Sequence, residues 1–341
     1  MFLINKKGSA STKVAITALL TAMLFLSACG NNNAGNAANA GATTAPTAAA
    51  ATEAPAATEA PAAEPRTVTD AMGHEVTIPA NPQRVLGSYL EDYLVTLDVT
   101  PVAQWSITKG VQDYLSTELK DIPAISYDLP LEAVTSFTPD FILIQSEAQV
   151  QNGLYDQLSK IAPTYVLGDE LNNDWRKQLL KIGELLNKTA EAEQALKTYD
   201  EKAADAKEKL QASIGDDSVA VLWLASKSFF IVDATRSSGA VLYNDLGVTM
   251  PNLVTDIPEE TRTNWNAISL EKLSELTADH IILVNSDKTE GAEITNSDIW
   301  KAIPAVKAGH VHEFSSKTSW LYSGANAGSK IIDDTLASLV K

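Results

Sequence analysis

Leu131-Glu-Ala-Val-Thr-Ser-Phe-Thr-Pro-Asp140 returns 139 positions later as Leu270-Glu-Lys-Leu-Ser-Glu-Leu-Thr-Ala-Asp279. Four positions are identical, and the pairs Val134/Leu273 and Phe137/Leu276 stay apolar. Each copy runs into an apolar strand, Phe141-Ile-Leu-Ile-Gln145 or His280-Ile-Ile-Leu-Val284, and upstream Leu97-Asp-Val-Thr100 is echoed by Leu246-Gly-Val-Thr249. Solenoid repeats have periods of roughly 20–50 residues, so this spacing is that of two whole lobes of similar fold. It also sets Glu132 and Glu271 at one equivalent place, the first turn of a short helix.

Outward from the first copy, strands and helices alternate. Thr67–Asp70 and Glu75–Ile78 read as a hairpin around Met72-Gly73-His74. Arg84–Leu86, Pro101–Trp105, Phe141–Gln145 and Thr164–Leu167 read as short apolar strands between helical segments, which argues for a mainly parallel sheet covered on both faces. The second lobe repeats this with Val219–Leu224, Phe229–Val232, Ile281–Val284 and Val311–Phe314. Between the lobes, Trp175, Leu179, Ile182 and Leu186 form one helical stripe. A second helix starts at Thr189, with Ala192, Ala195, Leu196, Tyr199, Ala203, Ala206 and Leu210 on a narrow stripe and charges elsewhere. About 22 residues at roughly 1.5 Å each give ~33 Å. The pattern predicts a rod that packs on little and joins two bodies.

The amino-terminal segment indicates where the lobes work. Lys6, Lys7 and Lys13 precede the apolar run Val14–Leu26, too short for a permanent span. It ends in Leu26-Ser-Ala-Cys29, the form of a lipoprotein signal in which the cysteine carries the lipid. The plain alternative is a secretory signal with a chance cysteine. Small residues before Cys29 and a stretch of Ala, Thr, Asn and Pro after it favour lipidation, and that stretch lacks the apolar bulk to fold. The expected divisions are a signal at 1–28, a tether at 29–65, lobes at 66–187 and 214–341, and a connecting helix at 188–213. Removing residues 1–28 takes away three lysines and no acids, moving the formal charge from −17 to −20. Such a surface opposes nucleic acid and anionic lipid as partners.

At this point the sequence resembles a known family, the substrate-binding lipoproteins of iron-siderophore and cobalamin ABC importers, whose lobes are joined by a single helix. Asp70-Ala-Met-Gly-His-Glu-Val-Thr-Ile-Pro79 with Pro82-Gln-Arg-Val85, then Thr138-Pro-Asp-Phe-Ile142, Lys160-Ile-Ala-Pro163, and Trp300-Lys-Ala-Ile-Pro-Ala-Val-Lys307 with Trp320 match its blocks in order. The resemblance covers about residues 66–341. It implies a class III periplasmic-binding-protein-like α/β fold, and it implies that Glu132 and Glu271 dock into arginine pockets of the permease subunits. The plain alternative for each is a carboxylate stabilised by the helix dipole, worth about 0.3–1 kcal/mol.

A ligand cleft is expected between the lobes, at the carboxyl ends of the strands. Trp105, Trp265, Trp320 and Tyr322 stand outside periodic stripes and suit the surface of an organic chelate. Lys109, Lys227 and Arg236 are candidates to meet the oxygens around a chelated metal; a solvated charge is the alternative for each. Trp175 reads as core, and Trp223 fits either role. His310 and His312 share a strand face, but a transition-metal site wants three or four ligands, and no metal site is expected. No Gly-x-Gly-x-x-Gly, Walker loop or Gly-x-Ser-x-Gly elbow occurs, so no enzyme is expected. The reading is a lipid-anchored receptor on the extracytoplasmic face of the cell membrane. It takes a ferric siderophore, hydroxamate in preference to tris-catecholate on charge grounds, to an ABC permease with its ATPase. Iron stays inside the chelator, with no cofactor. A cobalamin or haem receptor is the nearest alternative; a direct Zn/Mn receptor and a structural or adhesion lipoprotein lie further off.

Overall fold

The computed structural model describes residues 64–107, 110–287 and 292–341. The 1–28 signal, Cys29, all but the last two residues of the tether, and Lys109 lie outside the described residues.

The first lobe opens with the antiparallel hairpin β1 (Arg66–Thr69) and β2 (Glu75–Ile78). The Asp70 carboxylate accepts from the backbone N–H groups of Met72 (2.9 Å) and His74 (2.8 Å) and so shapes the turn. In the main sheet, β6 (Phe141–Ile144) lies between β3 (Val85–Gly87) and β7 (Thr164–Val166), all parallel. Beside it β4 (Gln104–Ser106) and β5 (Ala124–Ser126) pair in parallel, and the Val102 N–H reaches the Val85 carbonyl to join the two. Alternate residues feed opposite cores, as a pleated strand requires. Val85, Phe141, Leu143 and Tyr165 pack on Leu179, Ile182 and Leu185 of the helix Trp175–Leu185. Leu86, Ile142, Ile144 and Val166 pack on Val134 and Leu158. Both faces are thus dry, which explains the unbroken apolar run of β6.

In the second lobe the strands are β8 (Val219–Ala225), β9 (Ser228–Val232), β10 (Trp265–Ile268), β11 (His280–Asn285) and β12 (Val311–Ser315), ordered β10-β9-β8-β11-β12. β8, β11 and β12 are parallel, while β9 and β10 are antiparallel additions. The reversal is made by Ser226 and Lys227, both at positive φ (50° and 60°), as a two-residue hairpin turn demands. Trp265, which stands outside any periodic stripe in the sequence, opens β10.

The repeat has a structural counterpart in each lobe. The helices Leu131–Ser136 and Leu270–Leu273 lead into β6 and β11, the strands flanked on both sides by parallel partners. Its aspartates do one job twice. Asp140 accepts from the Gln83 and Arg84 amides (2.8 and 2.9 Å) at the start of β3, and Asp279 from the amide and hydroxyl of Ser218 (2.8 and 2.7 Å) at the start of β8. Those bonds hold the Asp279 carboxyl below the usual range.

The connecting helix Thr189–Ile214 is no free rod. Ala192 belongs to the first lobe's core, and Tyr199, Ala203, Ala206 and Leu210 to the second's. Its small stripe admits close neighbours: a Cβ on Gly328 of the C-terminal helix Ala325–Leu339 would lie 2.7 Å from the Tyr199 ring. The Tyr199 hydroxyl donates to Asp245 (2.7 Å), which Arg176 also holds at 3.1 Å, while the guanidinium lies 4.5 Å from the Trp175 ring.

Candidate functional site

Chain segments leaving β3, β4, β6 and β9 border a cavity of about 150 Å³ between the lobes. On the first lobe, β3 ends at Gly87 and the chain turns sharply through Tyr89 (φ 64°) into the helix Glu91–Thr96. Tyr89 meets the Trp105 ring edge-on at 4.8 Å and lies 6.2 Å from Tyr322 of the second lobe. Tyr114 stands 4.9 Å from Tyr322. Four rings therefore span the lobe boundary. Burial raises the phenol of Tyr89, and it pushes that of Tyr322 up to about 12, so both stay neutral donors.

Two carboxyls lie beneath the rings. Glu91 has no exposed surface and accepts from the Trp105 backbone N–H at 2.5 Å. Burial pushes it up to about 7 against the pull of that bond and of the backbone amides of Glu91 and Tyr89. Asp92 crosses the boundary: it accepts from the backbone N–H groups of Asn326 (3.1 Å) and Ala327 (2.8 Å), in the first turn of the C-terminal helix, and from the Tyr114 hydroxyl (3.0 Å). Burial pushes it up to about 6, opposed by those donors and by Lys330. Lys330 itself donates to the Tyr114 carbonyl at 2.5 Å.

The second lobe supplies the cation. Arg236, half-buried after β9, lines the cavity and donates to Asn264 at 3.3 Å. Asn172, Asn173, Gln112 and Ser237 add amide and hydroxyl groups to the walls. Nearby, Trp223, Phe230 and Trp265 share one sheet face at centroid distances of 5.2 and 5.8 Å, all partly exposed. The Trp223 indole N–H donates to Ser286 (2.8 Å). At the adjoining hairpin tip Lys227 is exposed, its backbone N–H fixed by Asp287 (2.6 Å).

Of the residues singled out from sequence, Tyr322 and Arg236 thus line one cavity and Trp105 packs behind its wall against Tyr89, while Trp265 and Lys227 lie on the neighbouring face of the second lobe. Trp320 does not join them. It is fully buried, 5.3 Å from Phe314, with its indole N–H donating to Asp334 of the C-terminal helix (3.0 Å). The short 3₁₀ turn Ser319–Leu321 folds its ring inward, so Trp320 is core. Sequence reasoning singled out none of Tyr89, Glu91 and Asp92, and it missed Tyr114. The signal lay in the place of Tyr89, Glu91 and Asp92 directly after the first parallel strand.

Glu132 and Glu271 are exposed in their first helical turns, and neither side chain has a polar partner among the described residues. His310 and His312 share their face with His280, whose ring stacks on theirs at 4.7 and 5.7 Å. Among the described residues no group of three or more His, Cys, Asp or Glu is placed to hold a metal ion.

Residues 87–318 match the profile of a family described as periplasmic binding protein. The "Probable siderophore-binding lipoprotein YfiY" of Bacillus subtilis (strain 168) is 27% identical over 285 residues, covering 79% of this chain and 86% of its own. The iron(3+)-hydroxamate-binding protein FhuD of the same organism is 29% identical over 248 residues, covering 70% and 75%. The crystal structure of Staphylococcus aureus SirA complexed with staphyloferrin B superposes with a TM-score of 0.67 at 28% identity, covering 80% of this chain and 98% of SirA.

Proposed function

The chain belongs to the periplasmic binding protein family, and from that premise we propose that it is the receptor of an ABC importer, capturing a ferric siderophore and handing it to the permease. The observation that carries this reading is a gap between two lobes lined by Tyr89, Tyr322 and one arginine, Arg236, with the rings of Trp105 and Tyr114 packed against those two tyrosines. Rings and one guanidinium suit an organic chelate with an electron-rich oxygen shell. They do not suit a bare ion, so the iron travels as cargo inside its chelator and the protein supplies no ligand and no cofactor. Pockets for drug-sized ligands run about 300–1,000 Å³. A gap of about 150 Å³ therefore receives a chelate only as the lobes separate, with Trp223, Trp265 and Lys227 meeting its outer side.

The unpaired, exposed Glu132 and Glu271 support a docking role, one carboxylate per lobe for an arginine on each permease subunit. An anchor on Cys29 would keep the receptor at the outer face of the membrane, with 29–65 as tether. A charge of −20 on the mature chain favours near-neutral ferric hydroxamates over trianionic tris-catecholates, to the extent that screening allows.

The test is tryptophan quenching of the mature protein against ferric hydroxamate, tris-catecholate and carboxylate chelates, cobalamin, haem and bare metal ions. Saturable quenching by a ferric chelate is expected. Response to cobalamin, haem or free metal alone, or to nothing, overturns the proposal.

A further inference from the structure

Glu91 has a role in the cleft that the reading above leaves unused. Its side chain lies wholly inside the protein, in the layer directly under Tyr89 and Trp105. One oxygen, Oε1, accepts the Trp105 amide at 2.5 Å; the other, Oε2, is enclosed and accepts no hydrogen bond, while the backbone amides of Tyr89 and Glu91 also draw the carboxyl down. Oε2 can therefore take a proton without breaking any bond that holds Trp105. No cation compensates the ionised form. On its own helix stands a second acid, Asp92, occupied by the amides of Asn326 and Ala327. The 3₁₀ turn Asp113–Leu115 brings Asp113 and Tyr114, and the loop beyond Trp320 brings Tyr322. Lys330 of the C-terminal helix turns its charge to the Tyr114 carbonyl and Glu118. Arg236, across the cavity, is bound to Asn264. A buried carboxylate without a counter-charge is the costly form, and a negative ligand set on the rings above it makes that form costlier.

We propose that Glu91 is a specificity-determining residue that meters ligand charge: an anionic ferric chelate enters the cleft together with a proton on Oε2, and a neutral chelate enters without one. This rests on the receptor reading above. Its basis is the enclosed, unpartnered oxygen one layer beneath the ring wall. Burial holds the group at about 7, so near neutrality the proton is gained or lost as the ligand dictates. At pH 8 the cleft discriminates against anions; at pH 6.5 it does not.

The experiment measures Kd for a trianionic ferric tris-catecholate and a near-neutral ferric hydroxamate between pH 6.5 and 8.5, on the wild type and on Glu91→Gln. In the wild type, catecholate affinity should fall toward the limit of about tenfold per pH unit above 7 that a single linked proton allows, while hydroxamate affinity stays level. Glu91→Gln should flatten the catecholate profile and bind it several-fold tighter at pH 8. Proton uptake by the wild type, from calorimetry at pH 7.5 in buffers of different ionisation heat, should approach one per catecholate complex and none per hydroxamate. This last measurement needs no variant. Equal pH slopes in both proteins, or no proton uptake with the trianion, overturn the inference while leaving the receptor intact. Failure of every chelate to bind at any pH brings down the receptor reading, and this inference with it.

Discussion

Replacing Gly324 with alanine should strike at the contact that ties the lobes together. Gly324 has φ +131° and ψ 174°, a region only glycine occupies freely. A Cβ there would lie 2.2 Å from Asp92 Oδ1 and 2.4 Å from its Cγ. Asp92 cannot swing aside, because it is buried and its two oxygens are taken by Asn326, Ala327 and Tyr114. Backbone strain of about 1–3 kcal/mol and overpacking of about 1–3 kcal/mol together give a loss of about 2–6 kcal/mol. At roughly 2–4 °C per kcal/mol for a chain of this size, Tm should fall on the order of 5–20 °C. Gly309→Ala is the control: φ is +74° but no atom lies within 4 Å of the added Cβ, so strain alone acts, at about 1–2 kcal/mol. Scanning calorimetry of wild type, both single variants, Asp92→Ala and the Asp92→Ala/Gly324→Ala pair isolates the collision. In the Asp92→Ala background the carboxyl collision is gone and only the 2.9 Å approach to the residual Cβ and the backbone strain remain, so the added alanine should cost clearly less than in the wild type. If Gly324→Ala melts no lower than Gly309→Ala, or if its effect adds fully to that of Asp92→Ala, then Asp92 does not press on the start of the C-terminal helix and the account of the lobe contact is wrong.

Trp320→Ala should cost about 3–5 kcal/mol of stability and leave chelate affinity per folded molecule unchanged, read by denaturant melts beside quenching titrations; the reverse pattern would return Trp320 to the cleft. Glu132→Ala with Glu271→Ala should leave affinity intact and cut cellular uptake of labelled chelate, because each unpaired permease arginine costs about 2–5 kcal/mol if desolvated; wild-type uptake at normal surface abundance would refute docking. Cys29→Ser should move the protein from the membrane fraction to the medium with an unchanged melting curve. His280 and His312 are held below the usual imidazole range by burial and by mutual repulsion with His310, against the attraction of Asp217 on His280, and Lys341 adds to the repulsion at His312. The unfolded chain therefore binds more protons below about pH 6.5, and these groups withdraw stability as pH falls. Glu91 and Asp92, held above their usual range, act with the opposite sign, so the measurement is the difference between wild type and His312→Gln urea midpoints at pH 7.5 and 5.5. It should narrow at the lower pH; a constant difference would show that His312 stays out of the titration.

The two-lobe plan was legible because the ten-residue repeat carries its own local chemistry. Its Glu opens a helix turn and its Asp ties down a neighbouring strand, and both tasks are written within a few residues. The antiparallel β9 and β10 were less visible, since Ser226-Lys227 carries none of the glycine or asparagine that marks a tight hairpin. The connecting helix was recognised from its period, but its packing was underrated: an alanine stripe looks weak until a glycine-bearing helix lies against it. Trp320 misled because a large aromatic off any periodic stripe says nothing of which way its turn folds. Asp92 shows the general limit. Its partners Asn326 and Ala327 lie more than 230 positions away, and no local pattern announces such a meeting.

Ala325 opens the C-terminal helix, yet its side chain belongs to the first lobe's core, in the cluster that also holds Ala192 of the connecting helix. Chains are made amino end first, so the first lobe has every one of its strands long before it has the residues that close it. The lobe begun first is finished last. Until the helix Ala325–Leu339 has emerged, its core stays open on one side and Asp92 has no amides to meet. A product stopped short of that helix would lose part of both lobes at once, and its open seam would invite proteolysis. Emergence of this helix, and not the assembly of either half, is the event that closes the first lobe.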